Sequence, residues 1–219
     1  MHIKQATEEL FDWVVVATGH FCHPYMPDIK GLETFTGHRV HSKNVRSFGQ
    51  FRGMRVLCVG AGYSGIDMAI QLYKFGAQSV HISYKDSPID FNWSRAEGCE
   101  IKEVPQVIEV RGKTVTLVDG TEGEYDWIIF CTGYCHSFPF MEKSLSLVTS
   151  GNELYPKSLY KGVVMTSNNK LFYMGMQNLV YSFPLYDMQA KLIVEYVSGG
   201  LEAPNLCDME IDVNKWVER

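Results

Sequence analysis

Met54-Arg55-Val56-Leu57-Cys58-Val59-Gly60-Ala61-Gly62-Tyr63-Ser64-Gly65 decides the fold. A short apolar, β-branched run leads straight into three glycines at G-x-G-x-x-G spacing. An apolar run without polar alternation reads as a strand covered on both faces, the kind found in parallel sheets. In the following IDMAIQLYKFGA, the residues Ile66, Ala69, Ile70 and Tyr73 recur at helical spacing, and Gly76 stands near the end as a stop. SVHISY, residues 79–84, reads as the next strand. Strand, glycine turn, helix and strand in that order form a βαβ unit, the context in which this hexapeptide binds a dinucleotide. Gly60 would permit the tight turn, Gly62 would let a pyrophosphate approach the backbone, and Gly65 would let the helix pack closely. The pyrophosphate would sit at the helix N-terminus, where free N–H groups and the dipole favour an anion. A structural glycine turn without a ligand is the alternative.

The end of the second strand bears on which dinucleotide. An NAD site usually has an acid there to bind the ribose hydroxyls. Here the order is Ser83-Tyr84-Lys85-Asp86. Lys85 could neutralise a 2′-phosphate, which favours NADP, and Asp86 is the contrary signal.

Outward from this unit the chain repeats itself. Asp12-Trp13-Val14-Val15-Val16-Ala17-Thr18-Gly19-His20 and Asp126-Trp127-Ile128-Ile129-Phe130-Cys131-Thr132-Gly133-Tyr134 share Asp, Trp, Thr and Gly at the same places. Each reads as a buried strand (11–17 and 126–134) that ends in a Thr-Gly turn and closes a nucleotide-binding unit. The second closes the unit that opens at residue 54. Only eleven residues precede Asp12, whereas a βαβ unit needs about thirty. The unit closed by the first strand is therefore expected to lie outside this chain.

Elsewhere, residues 21–53 and 85–104 read as irregular. Residues 106–126 alternate around Gly112 and Gly120 as a β-meander. LFYM (171–174) reads as a strand, LYDMQAKLIVEYVS (185–198) as a helix stopped by Gly199-Gly200, and the tail from Leu201 as loosely packed. Alternating strands and helices give an α/β class with a parallel sheet.

The chain has 219 residues, 46% hydrophobic, with a formal charge of −5. That allows one full core or a domain and part of another. It offers no basic patch for nucleic acid. No apolar run approaches the ~20 residues of a membrane helix, and the N-terminus is no secretory signal. Six scattered cysteines suggest reduced, mostly buried thiols in a cytoplasmic protein; the spacing of Cys131 and Cys135 lacks a matching second ligand pair for a metal.

With these residues in view, the chain resembles the flavin-containing monooxygenases, specifically their trimethylamine monooxygenase-like branch. Phe35-Thr36-Gly37-His38-Arg39-Val40-His41 fits the family's F-x-G-x-x-x-H motif, just before the glycine loop. GAGYSG fits its second glycine motif, and Ala17-Thr18-Gly19 and Cys131-Thr132-Gly133 match its A-T-G motifs, the latter with Cys for Ala. CTGYCHSFPF (131–140), LYKGVV (159–164) and FYMGMQNLVYSF (172–183) add to the likeness, which runs from about Phe11 to Gly200. Val45 departs from the aromatic residue expected four positions after His41. The family's FAD glycine motif and nicotinamide-orienting asparagine are expected upstream of Phe11.

The resemblance implies an α/β fold, with a Rossmann-like NADP-binding domain (21–130) inserted in a partial, split FAD-binding domain (1–20 and 131–219). It implies an NADPH- and FAD-dependent monooxygenase that oxygenates nitrogen or sulfur of small nucleophiles such as tertiary amines. The cofactors do the hard chemistry, so no acid–base triad is called for. By motif, Gly60, Ala61, Gly62, Tyr63, Ser64 and Gly65 would cradle NADP, Lys85 would meet its 2′-phosphate, and Thr132 and Gly133 would pass near it. Thr18 and Gly19 would approach FAD, and Gln177 would lie near the isoalloxazine ring or serve as a satisfied structural amide. His41 reads as structural. Tyr181, Phe183 and Tyr186 are equally substrate-pocket or core aromatics. The alternatives are a non-catalytic dinucleotide-binding module and a Baeyer–Villiger monooxygenase. Strands 11–17 and 171–174 would expose apolar edges, so the chain is expected to aggregate or to pair with a second copy or with a chain supplying the FAD-binding half.

Overall fold

The computed structural model describes residues 8–90, 93, 100–149, 151, 155–177, 182–202 and 204–217. In chain order its strands are β1 Val14–Val16, β2 His23–Pro24, β3 His38–His41, β4 Arg55–Val59, β5 Ser79–Ser83, β6 Glu100–Val104, β7 Val107–Arg111, β8 Thr114–Leu117, β9 Glu122–Glu124, β10 Trp127–Phe130, β11 Tyr134–Cys135, β12 Leu159–Tyr160, β13 Val164–Met165 and β14 Leu171–Tyr173. The α-helices are α1 Tyr63–Lys74, α2 Ser182–Val197 and α3 Leu206–Val217. The chain divides into two compact units, Pro24–Gly133 and Met1–His23 with Tyr134–Arg219.

The unit Pro24–Gly133 is built on a five-stranded sheet of order β3-β10-β4-β5-β6, parallel throughout. Its central strands alternate, but between two apolar layers. Val56 and Cys58 of β4 and Ile129 beyond them pack with Ala69 and Leu72 of α1. Leu57, Ile128 and Phe130 face Val107, Val110, Val115 and Leu117 of the antiparallel β7-β8-β9 meander. Because both faces are covered, the strands read as unbroken apolar runs.

Two expectations fail here. Residues 100–104 and 38–41 are strands, not irregular segments. Both are edge strands of this sheet, and edges carry charge to discourage foreign pairing. The charged Glu100, Lys102, Glu103 and Arg39, together with the polar rings of His38 and His41, therefore hide the apolar signal.

The other unit has a sheet of order β1-β14-β13-β12, in which β1 and β14 are parallel and the remaining pairs antiparallel. Leu171 and Tyr173 of β14 pack on one face with Val16, Phe138 and Leu159. Phe172 packs on the other with Val164, Ile193 of α2, Tyr196 and Met209 of α3. The 11–17 strand is shorter than its apolar run, and β1 lies at the sheet edge with Val14 and Val15 42% and 44% exposed. β14 has neighbours on both sides and is buried, so the exposed edge expected of 171–174 is absent.

The tail past Leu201 is likewise not loose. α3 docks through Met209 and Val213, which are buried at i,i+4 spacing. The Asn205 side chain accepts from the Asp208 N–H as its N-cap, and Asp212 binds Lys161 in the β12–β13 turn. No helix among the described residues is long and apolar enough to cross a membrane.

Candidate dinucleotide site and Thr-Gly turn

In a parallel sheet the C-terminal ends of neighbouring strands share one edge. Val59 pairs with Ser83 on one side and Phe130 on the other. That brings the Gly60–Gly65 loop, Lys85 and Thr132–Gly133 to the same edge of the unit. From β4 the chain passes through α1 to β5 on one side, while β10 later fills the other side. Such a reversal of strand order opens the crevice where nucleotides bind in doubly wound sheets.

The three glycines do different things. Gly60 has φ 111° and donates its N–H to the Ser83 carbonyl at 2.9 Å. A Cβ at Gly60 would stand 2.5 Å from the Cys131 carbonyl oxygen, and one at Gly65 would stand 2.1 Å from the Gly60 carbonyl oxygen. Both positions are closed to any side chain. Gly62 is the opposite case, since its φ is −81° and a Cβ would meet nothing within 4 Å. Its backbone faces open space at the N-cap of α1. The helix begins there with the Ile66 N–H donating to the Gly62 carbonyl at 3.1 Å, without a side-chain cap and without an acid in its first turn. Unlike α3, its first N–H groups and the positive end of its dipole are left for an external acceptor. Tyr63 and Ser64 are exposed on this turn, and Ala61 is half-buried against the core. Lys85 is exposed two residues past β5.

Beneath the loop lie Cys58 and Cys131, both buried and unoxidised. The contact with Cys131, reinforced by burial, pushes the Cys58 thiol well above its ordinary pKa, so it stays neutral in an apolar floor. Cys135 is also buried and outside any disulfide, Cys22 and Cys207 are exposed, and Cys99 lies outside the described residues.

The F-x-G-x-x-x-H motif braces this edge. Phe35 is buried in the core, and a Cβ on Gly37 would strike the Asp126 carbonyl oxygen at 2.5 Å. His41 closes β3 with Nε2 3.1 Å from the Gly133 carbonyl oxygen, while its Nδ1 accepts from the Lys43 N–H at 3.2 Å. A carbonyl only accepts, so the ring is the Nε2–H tautomer. Burial lowers its pKa, which keeps it neutral. Thr132 donates its hydroxyl to the Tyr25 carbonyl, and Gly133, at φ 78°, turns the chain. Val45 is buried in the core behind α1. At the other end of β10, Asp126 accepts from the Arg55 backbone and guanidinium and from Lys113, contacts that hold its carboxyl far below the usual range.

Thr18, Gly19 and Gln177 belong to the other unit. Thr18 and Gly19 are exposed at the end of β1, and Gly19 has φ 74° with open space where a Cβ would be. Gln177 is buried: its Nε2 donates to the Gly162 carbonyl at 2.7 Å and its Oε1 accepts from Gln189 Nε2 at 2.6 Å. Phe183 is 83% exposed, the Tyr186 ring lies against Gly175, and Tyr181 falls outside the described residues. Sequence reading missed His20, His136 and Gln189, all buried polar residues of this unit. His20 carries a signal in hindsight, for it follows the first Thr-Gly turn as Tyr134 follows the second.

The comparisons with known proteins agree with this architecture. The family model for pyridine nucleotide-disulphide oxidoreductases matches residues 11–175. Trimethylamine monooxygenase of Pelagibacter ubique is 43% identical over 211 residues, covering 96% of this chain and 46% of that protein. The crystal structure of Tmm from Pelagibacter sp. strain HTCC7211 superposes with a TM-score of 0.82 at 42% identity, over 95% of this chain and 46% of the other. S-allyl-L-cysteine S-oxygenase from Allium sativum gives a TM-score of 0.78 at 26% identity, over 95% and 47%. The chain thus spans about half the length of the curated relatives it matches. It belongs to the pyridine nucleotide-disulphide oxidoreductase family and is similar, within it, to flavin-containing monooxygenases.

Proposed function

We propose that this chain carries the nicotinamide-nucleotide site of an FAD- and NADPH-dependent monooxygenase, which oxygenates nitrogen or sulfur in small nucleophiles such as tertiary amines. On this reading Pro24–Gly133 is the NADP-binding unit, and Met1–His23 with Tyr134–Arg219 is part of the FAD-binding unit. The observation that carries the proposal is the contrast among the glycines: two are closed by backbone, and the third opens on an uncapped helix N-terminus. Such a cradle fits a pyrophosphate.

When bound, the nicotinamide supplies hydride and the flavin supplies oxygen activation. The chain's own residues bind and orient. Gly60–Gly65, with Ala61, Tyr63 and Ser64, would hold the pyrophosphate against the first turn of α1. Lys85 would meet the 2′-phosphate, and Thr132 and Gly133 would border the nucleotide where β10 ends. In the other unit, Thr18 and Gly19 would border the flavin, and buried Gln177 would shape that surface from behind. Names among the relatives, trimethylamine monooxygenase and an S-oxygenase, support a soft nitrogen or sulfur nucleophile as substrate.

Titration with NADPH and NADH, together with the visible flavin spectrum of the purified chain, tests the reading. Preference for NADPH and a flavin band that responds to it support the proposal. A colourless protein that binds NADPH without consuming it would instead favour the non-catalytic dinucleotide-binding module.

A further inference from the structure

His20 and His136 are 4% and 1% exposed, and their rings stack with centroids 4.7 Å apart and planes 19° apart. Each aims one nitrogen at a backbone carbonyl. His20 Nδ1 lies 3.0 Å from the Gly175 oxygen, and His136 Nε2 lies 2.8 Å from the Met176 oxygen. Because carbonyls only accept, His20 carries its proton on Nδ1 and His136 on Nε2. The Gly175 N–H donates to Gln189 Oε1 at 2.8 Å, and Gln189 in turn holds Gln177. Residues 175–177 are thus gripped at an N–H, two carbonyls and a side-chain amide.

The position of His20 gives this grip a purpose. β1 and β14 run in parallel register up to Val16 and Tyr173, and the last main-chain tie is the Met174 N–H to the Val16 carbonyl at 2.9 Å. The chain then turns at Gly19 with φ 74°. Beyond the ladder, the His20 imidazole takes over the tie.

We propose that His20 is a positioning residue which, stacked on His136, holds the Thr18–Gly19 turn in register with Gly175–Gln177 and keeps the two segments preorganised for a flavin. The flavin part rests on the function proposed above; the tie between the segments does not.

Burial of the stack disfavours a charge on His20. Burial, and next the adjacent His136, lower the pKa of His20, against the smaller opposing effect of the Gly175 carbonyl. His136 is the titratable group stacked on it; Phe21 also touches His20, and Tyr134 meets the far ring of Phe21. Thr149 hydrogen-bonds the His136 backbone N–H. Acid should therefore loosen the tie as pH falls below the ordinary histidine value of 6.5.

The test compares His20→Ala with His20→Asn, whose amide nitrogen stands where Nδ1 does and cannot titrate. Backbone amide NMR signals report the tie, and FAD titration reports preorganisation. His20→Ala should shift the Gly19 and Gly175 signals and weaken FAD about tenfold, as loss of one buried hydrogen bond does, while His20→Asn restores both. In the unmutated chain the Gly19 signal should move with pH in step with the His20 ring, and His20→Asn should abolish that step. The proposal is overturned if His20→Ala leaves Gly19 and Gly175 unmoved, or if His20→Asn disturbs them as much. Should His20→Ala fail to fold, the pH comparison of the unmutated chain with His20→Asn decides. Amide signals that respond as expected in a chain that never binds FAD would uphold the tie and overturn the flavin reading.

Discussion

Replacing the three loop glycines by alanine one at a time separates architecture from ligand contact. At Gly65 the new methyl would lie 2.1 Å from the Gly60 carbonyl oxygen and 3.2 Å from its carbon. Both are backbone atoms, and Gly60 is pinned by its bond to Ser83, so α1 itself must move away. Overpacking of this kind costs about 1–3 kcal/mol. For a unit of roughly 100 residues, each kcal/mol lowers the melting temperature by about 4–8 °C. Gly60→Ala should be at least as damaging, since a 2.5 Å contact with the Cys131 oxygen adds to a φ of 111° that side chains rarely adopt. Gly62→Ala should leave stability within about 0.5 kcal/mol, because its φ of −81° suits alanine and the methyl meets nothing. On the proposed function that methyl would, however, occupy the space through which the pyrophosphate would approach. NADPH affinity should fall about tenfold or more, as for any methyl forced into a closely packed contact. Thermal unfolding by circular dichroism and NADPH calorimetry on the same three proteins give both columns. A Gly62→Ala protein that melts as low as Gly65→Ala, or that binds NADPH like the parent, would refute the division of labour.

Three further outcomes are expected. Lys85→Ala should weaken NADPH by about tenfold, the worth of one charge-assisted contact, and leave NADH unchanged; equal losses for both nucleotides would remove Lys85 from the 2′-phosphate. Asp126→Asn should lower the melting temperature at neutral pH by weakening the contacts with Arg55 and Lys113. The carboxyl pKa is depressed in the folded chain, so this stabilisation is present above the unfolded value of about 4 and is lost as pH falls below it; melting curves of the two proteins should converge in acid. Val15→Lys should reduce self-association in light scattering with little change in melting, because Val15 is 44% exposed on the β1 edge; undiminished association would show that the edge is not the sticky surface.

How much of this was legible beforehand depends on how many neighbours each residue needs. The glycine loop, α1 and the strands at 55–59, 79–83 and 127–130 were readable because local rules suffice. Runs covered on both faces are apolar throughout, a 12-residue amphipathic helix repeats its own period, and G-x-G-x-x-G records contacts within a few residues. The meander announced itself through Gly112 and Gly120. Edge strands β3 and β6 did not, because their charges answer to solvent and to the danger of foreign pairing. α3 had its cap at Asn205 and its stripe at Met209 and Val213, but only the sheet beneath it turned that stripe into a buried face.

The same division holds for the site. Sequence alone determined the family resemblance, the order of strand, loop and helix, and which glycines mattered, since these are fixed by spacing along the chain. Tertiary structure decided why each glycine matters: Gly60 and Gly65 are closed by the backbone of residues 131 and 60, while Gly62 is open. It also decided that His41 is a neutral brace on Gly133 and that Gln177 is held from within by Gln189. The pairing of His20 with His136 could not be read from spacing at all. Those rings lie more than a hundred positions apart in sequence, and they meet only because β1 and β14 run side by side and the chain then turns at Gly19.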